Sequence, residues 1–399
     1  MTRSALLRTV LVPAMSVGVG LAALTGCAET TETADTSAAD QTGPLEVAID
    51  GDSCPVSATE TPSGTTRFDL INNGSEVNEF EILAEDKLRV VGEKENLQPG
   101  TTTPFTIVLE PGTYYTACKP NMVGEFADVT EFTVTDSGDV AAVDNDVQQL
   151  REKAEAEYTE YVREQVGELL AGTEEFTAAY TAGDLDRARE LYPRARTHFE
   201  RIEPVAESFG SIDPAIDLRE ADSQDSDDQW TGWHVLEKDL WLPEGEQALS
   251  SERGREIADL LNRDTQKLYD LVYADDFAIS VDEISNGAIA LLEEVATSKI
   301  TGEEEVFSHT DLYDIQANVE GSSVAVDTLR ELAEREDPDL LAEIDSRMDA
   351  LTSILDGYRE GADGFVPFTE LDAAERKQLS DAVNALRRPL ATLTEVVVG

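Results

Sequence analysis

Apolar residues fall at every second position from Leu45 to about Asp136 and at helical spacing from Gln148 onward, so the chain changes period once. In the first stretch the runs L-E-V-A-I-D, T-T-R-F-D-L-I-N-N, E-F-E-I-L-A, L-R-V-V-G, T-P-F-T-I-V-L, G-T-Y-Y-T-A-C and V-T-E-F-T-V-T read as strands. Asn-Asn-Gly, Gln-Pro-Gly and Glu-Pro-Gly turns separate several of them. Seven short strands in one such stretch predict an all-β Greek-key sandwich over 45–137. Residues 138–147 are Gly, Asp and Asn with scattered valines and alanines and read as a linker.

From 148 to 399 no strand pattern of useful length appears, and the expectation is an all-α bundle of about eight helices. Leu150, Ala154, Tyr158, Tyr161, Val162, Val166, Leu169, Phe176 and Tyr180 give the first helix its face. Gly183 ends it and Asp184 caps the next, which carries Glu200 and Glu203 and which Pro193 and Pro204 would each bend or end locally. Thr231-Gly232 opens a helix carrying His234 and Glu237. Further helices follow over 252–273, 281–300, 311–335 and from Asp337-Pro338 to Tyr358. Thr369 with Asp372 reads as the capping box of the last.

The first 27 residues do not belong to either half. Two arginines, an apolar run and small residues before Cys27 make an export signal. Leu24-Thr25-Gly26-Cys27 resembles a bacterial lipobox, in which the cysteine becomes the lipidated first residue; the alternative is a plain secretory signal with a chance cysteine. Residues 28–44 read as a flexible tether. A formal net charge of −53 excludes a nucleic-acid partner, because a phosphate backbone requires a basic surface. In an exported chain Cys54 and Cys118 read either as a disulfide or as metal ligands with a carboxylate such as Glu79. Cys118 with Met122 has the spacing of a copper loop, yet a blue-copper site needs two histidines and the first here is His198.

Candidate chemistry concentrates between Thr197 and Trp241. Glu200 and Glu203 are three apart, as are His234 and Glu237, and residues at that spacing share a helix face. Asp217 lies on the segment between. Glu with Glu-x-x-His on neighbouring helices is a carboxylate-rich metal set suited to hard or borderline cations. Glu304, in the run Glu303-Glu304-Glu305, could complete the shell. The zinc-peptidase motif His-Glu-x-x-His is not met, since position 235 is Val and a second histidine is missing. His198 faces away from the acidic pair, and His309 sits in a turn.

The runs E-R-I-E-P-V-A-E-S-F-G-S-I-D-P-A-I-D-L-R-E, T-G-W-H-V-L-E-K-D-L-W and K-I-T-G-E-E-E-V-F-S-H-T-D-L-Y-D-I-Q-A-N-V-E-G resemble the EfeO family of bacterial iron-uptake proteins. The resemblance implies an N-terminal cupredoxin-like domain joined to an imelysin-like, peptidase-named helical domain. It implies an extracytoplasmic iron-binding component working with a membrane iron permease and a haem-containing peroxidase-like partner; with the lipobox and the missing hydrolytic base, the expectation is an exported, lipid-anchored, non-enzymatic protein. Matched motif by motif, Glu200, Glu203 and Asp217 would hold ferric or ferrous iron, with His234 and Glu237 in or beside the site. Cys54, Glu79 and Cys118 match the cupredoxin-like ligands for copper or ferric iron, and zinc is a further option. The rival readings are a zinc-dependent metallopeptidase and a surface module that binds a polymer or protein.

Overall fold

The computed structural model describes residues 43–122, 124, 126–137, 145–224, 229–361 and 364–399. Cys27, the export signal, most of the tether and most of the linker lie outside the described residues. The described chain falls into a strand-rich part over 45–135 and a mainly helical part over 145–398.

The alternation predicted for the first part produces two sheets. One is three-stranded, with β1 (Leu45–Ile49), β3 (Gly64–Asn72) and β6 (Thr102–Leu109) in the order β1-β3-β6. The other is five-stranded, built from β2 (Glu60–Pro62), β4 (Asn78–Leu83), β5 (Val90–Leu97), β7 (Gly112–Cys118) and β8 (Ala127–Thr135) in the order β2-β8-β7-β4-β5. Phe68, Phe80, Phe105 and Phe132 meet between the sheets, with Phe68 within 5.6–6.1 Å of the other three rings. The eighth strand, β2, has no apolar alternation to betray it; it joins parallel to β8 through its backbone. Strand β5 runs five residues beyond the predicted Leu88–Gly92, because its continuation Glu93-Lys94-Glu95 carries charge where alternation would show apolar residues.

Twelve α-helices follow among the described residues. Helix α1 (Asn145–Ala182) buries Ala154, Tyr158, Val162, Val166, Leu169 and Phe176 on one face, as the spacing requires. Gly183, at φ 80°, ends it, and the Asp184 carboxylate accepts the Arg187 N–H. Helix α2 (Leu185–Glu200) stops at Glu200, and α3 (Glu203–Glu207) begins at Glu203, so the expected single helix is two. Pro204 starts a new helix here instead of bending the old one, a position where its missing N–H costs nothing.

Asp217 is likewise not on a connecting segment; it is the last residue of α4 (Ile212–Asp217). The remaining helices are α5 (Trp233–Leu240), α6 (Ser251–Val272), α7 (Val281–Thr297), α8 (Asp311–Thr328), α9 (Arg330–Glu336), α10 (Pro338–Asp356), α11 (Ala373–Leu390) and α12 (Leu393–Val398). Two-residue strands at Arg359–Glu360 and Gly364–Phe365 pair after α10, too short to leave a pattern. The capping box of α11 is formed by Asp372 with Glu375, one turn later than Thr369 with Asp372.

The sandwich rests on the bundle through β5 and β6. The Val108 N–H donates to Asp282 at 2.8 Å, Asn286 donates to the Thr106 carbonyl at 3.1 Å, and Lys94 pairs with Glu293. Beside these contacts a cleft of about 350 Å³ opens, lined by acids from both parts.

Candidate metal site

Two close backbone approaches assemble the site. Gly232 has φ 84°, and a Cβ there would stand 1.9 Å from the Ile216 carbonyl oxygen, so only glycine lets the start of α5 touch the end of α4. That contact sets His234 beside Asp217. At Gly321 a Cβ would lie 2.3 Å from the Arg201 carbonyl oxygen, which lets α8 press against the break between α2 and α3. Asn318, one turn earlier on α8, thereby reaches Glu200 and Glu203.

His234 is buried and its two nitrogens differ. Nδ1 faces Glu237 Oε2 at 3.2 Å, and Glu237 Oε1 accepts the N–H groups of Phe307 and Ser308 at 3.0 and 2.7 Å. Among the described residues Nε2 has no hydrogen-bond partner, and it points between Asp217 Oδ1 at 3.4 Å and Glu304 Oε1 at 3.6 Å. A carboxylate that holds one imidazole nitrogen orients the other toward a cation. The atoms of Asp217, His234 and Glu304 lie close enough together to hold one ion, as do those of His234, Glu237 and Glu305.

Two buried cations run through these acids. Arg196, fully buried on α2, pairs with Glu200 one turn on, with Asp217, with Glu304 at 3.1 Å and with Glu305 at 2.7 Å; Asp314 is 3.6 Å away. Lys299 stands 2.6 Å from Glu200 and 2.7 Å from Glu203. Arg219 reaches Glu304 at 3.4 Å from the cleft side. The buried carboxyls of Glu200, Glu203, Asp217, Glu237, Glu304, Glu305, Asp311 and Asp314 still outnumber these bases. Burying a charge without a partner costs several kcal/mol, so the surplus is met by protons or by a further cation.

The acids divide accordingly. Burial pushes Asp217 and Glu304 up, but Arg196 and His234 beside the first, and Lys299 and His234 beside the second, hold both below the usual carboxylate range. Burial pushes Glu203, Glu305 and Asp314 well up, and their cationic neighbours do not reverse it. Burial and Arg196 press the His234 imidazole down, while Asp217 and Glu237 raise it well above its ordinary value.

Glu200, Glu203, Asp217, His234, Glu237 and Glu304 are thus brought together. Glu305, Asp314, Asn318, Arg196 and Lys299 join them without having been singled out in the sequence. Arg196 carried a signal, being one turn before Glu200. Asp311, Asp314 and Asn318 form a buried polar stripe on α8, at helical spacing among other polar residues that do not mark it out in the sequence. His198 lies outside the cluster, 3.0 Å from Gln165, and His309 takes φ 61° in a turn.

Cys54 and Cys118 do not form a metal site with Glu79. Their sulfurs are bonded to each other. Phe80 is directly opposite Cys118 in the ladder and shares its core, so Glu79, one residue away, points from the opposite face of the sheet. There Glu79 and Glu81 flank Lys119 at 3.4 and 3.3 Å on the wall of the cleft that Glu203, Asp217 and Glu304 also line. Met122 lines the same cleft, where its sulfur accepts the Asn96 N–H at 3.4 Å.

The imelysin family model matches residues 154–393 and a cupredoxin-like domain model matches residues 18–130. An iron uptake system component EfeO of Escherichia coli strain K12 is 35% identical over 360 residues, 88% of this chain and 91% of that protein. The EfeO component of Yersinia pseudotuberculosis is 37% identical over 355 residues, again 88% and 91%. An Efem/EfeO family lipoprotein of Staphylococcus haemolyticus is 42% identical over 247 residues, 61% of this chain and 84% of that one. With a cupredoxin-like sandwich before an imelysin domain, and relatives aligned along most of its length, the chain belongs to the EfeO family.

Proposed function

We propose that this protein is the extracytoplasmic iron-binding component of an iron uptake system, which takes iron into the acidic cleft and passes it to a membrane permease. The observation that carries this is His234 Nε2, buried, without a hydrogen-bond partner among the described residues and aimed between two carboxylates that neighbouring cations hold below the usual range. One nitrogen with several carboxylate oxygens accepts ferric or ferrous iron; copper and zinc also bind such donors, and the relatives named as iron uptake components favour iron. Asp217, His234 and Glu304 together with Glu200 and Glu203 form the ligand set, and Glu237 orients the imidazole. The relatives named as iron uptake components support the role, and the one named as a lipoprotein supports anchoring through Cys27. No described helix is long and apolar enough to cross a membrane. The permease and a haem-containing peroxidase-like protein are the partners the family resemblance implies.

The peptidase-named domain raises hydrolysis as the rival. Glu237, the carboxylate nearest the histidine, is bound at both oxygens, to His234 and to two backbone N–H groups, which leaves it poorly placed to activate water. Purified protein should hold about one equivalent of iron per imelysin domain, the occupancy of a single site. Glu203→Ala combined with His234→Ala should abolish it. A double variant that binds iron as the parent does would defeat the assignment.

A further inference from the structure

Lys299 is a fully buried lysine at the inner end of a site built for cations. It follows α7 in a short turn, and its ammonium lies 2.6 Å from Glu200 Oε2 and 2.7 Å from Glu203 Oε2. The Asn318 amide donates to the same two oxygens at 3.2 and 3.4 Å. Arg196 holds the other oxygen of Glu200. The acidic pair that the sequence marks as metal ligands is therefore occupied by a cation belonging to the chain.

Taking the metal-capture reading above as its basis, we infer that Lys299 is a tethered competitor for the cargo ion, which must displace its ammonium from Glu203 and Glu200 and is expelled when the ammonium returns. The two buried bases are unequally suited to this. Arg196 is ringed by Glu200, Asp217, Glu304, Glu305 and Asp314 from four elements of the chain, and its planar fork is fixed by them. Among the described residues Lys299 has two carboxylate partners, Glu200 and Glu203, and it has a flexible four-carbon stem ending in a compact charge. Glu203 lines the cleft, so an ion arriving from there meets the carboxylate that Lys299 holds. A protein that hands on a metal must bind it without trapping it. An internal cation always present at the ligands lowers affinity by a set amount and remakes the apo ion pairs as the metal leaves.

The test is a titration of the chelator-treated full chain with Tb3+, a hard trivalent ion, followed by luminescence sensitised from Trp233 beside His234. Lys299→Met should lower the dissociation constant at least about tenfold, since it removes a like charge a few ångströms from the ion, and should slow release into excess chelator. Lys377→Met, on the exposed face of α11, should match the parent. A second measurement needs no variant: amine-reactive labelling of Lys299, read by mass spectrometry, should rise when the parent chain is loaded with Tb3+. If the parent binds Tb3+ but Lys299→Met binds no tighter, or labelling does not change on loading, the competitor role is overturned and metal capture stands. If the parent binds neither Tb3+ nor iron, both fall.

Discussion

At the scale of single residues the site depends on the difference between the two nitrogens of one imidazole. Glu237 shares a face with His234, which tempts one to count both as ligands, yet Glu237 spends its oxygens on His234 Nδ1 and on the Phe307 and Ser308 N–H groups. Its work is to keep Nε2 turned toward Asp217 and Glu304. Glu237→Gln should therefore retain one bound iron while weakening it about 10- to 100-fold, the usual cost of losing a carboxylate behind a ligating histidine. Isothermal titration would decide: an unchanged affinity removes Glu237 from the support role, and complete loss of binding places it among the ligands. Arg196 shows the same economy, since five acids within 3.6 Å of one guanidinium are tolerable in the interior because that guanidinium is a permanent cation.

At the scale of elements, short helices do the positioning. The break between α2 and α3 redirects Glu203, α4 ends on Asp217, and α5 begins one residue before His234. Gly232 makes that junction possible. Gly232→Ala forces a left-handed backbone on a residue with a side chain and drives its Cβ into the Ile216 carbonyl. A loss of about 3 kcal/mol or more in unfolding stability is expected from strain and overpacking together. Metal affinity should fall with it, because His234 and Asp217 are separated. A urea midpoint equal to the parent's would show that the junction yields, and that the close approach is not what holds the two ligands together.

At the scale of the whole molecule, the two parts put acid against acid across one cleft. Burial, with Glu79 nearby, raises the Glu93 carboxyl to about 8, and burial with Asp217 nearby raises Asp213 to about 7. In the unfolded chain both would titrate near 4. The folded form thus holds these protons more tightly, so their contribution to stability is complete below about pH 4 and is lost as the pH rises through 7 and 8. Metal-free protein in chelator should melt at progressively lower temperature between about pH 6 and pH 9, less steeply at high salt, which screens the excess charge. Added iron should flatten the dependence by supplying the missing positive charge. A melting temperature that is level or rises over that interval would contradict the coupling.

What the sequence alone determined is the part written in local spacing. A period of two and a period of 3.6 are properties of neighbouring residues, so the sandwich, the bundle and the point of change were legible, as was the pairing of His234 with Glu237. The identity of the family was legible too, in runs whose order along the chain carries the resemblance. Only the tertiary structure decided which acids face one another. Lys299 and Asn318 lie roughly a hundred residues from Glu200, Cys118 lies 64 from Cys54, and Glu79 turned out to face the cleft instead of the cysteines. Pairings at such separations depend on where helices stop and which glycines allow contact. In a chain with 83 acidic residues, composition cannot distinguish a carboxylate bathed in water from one buried against an arginine.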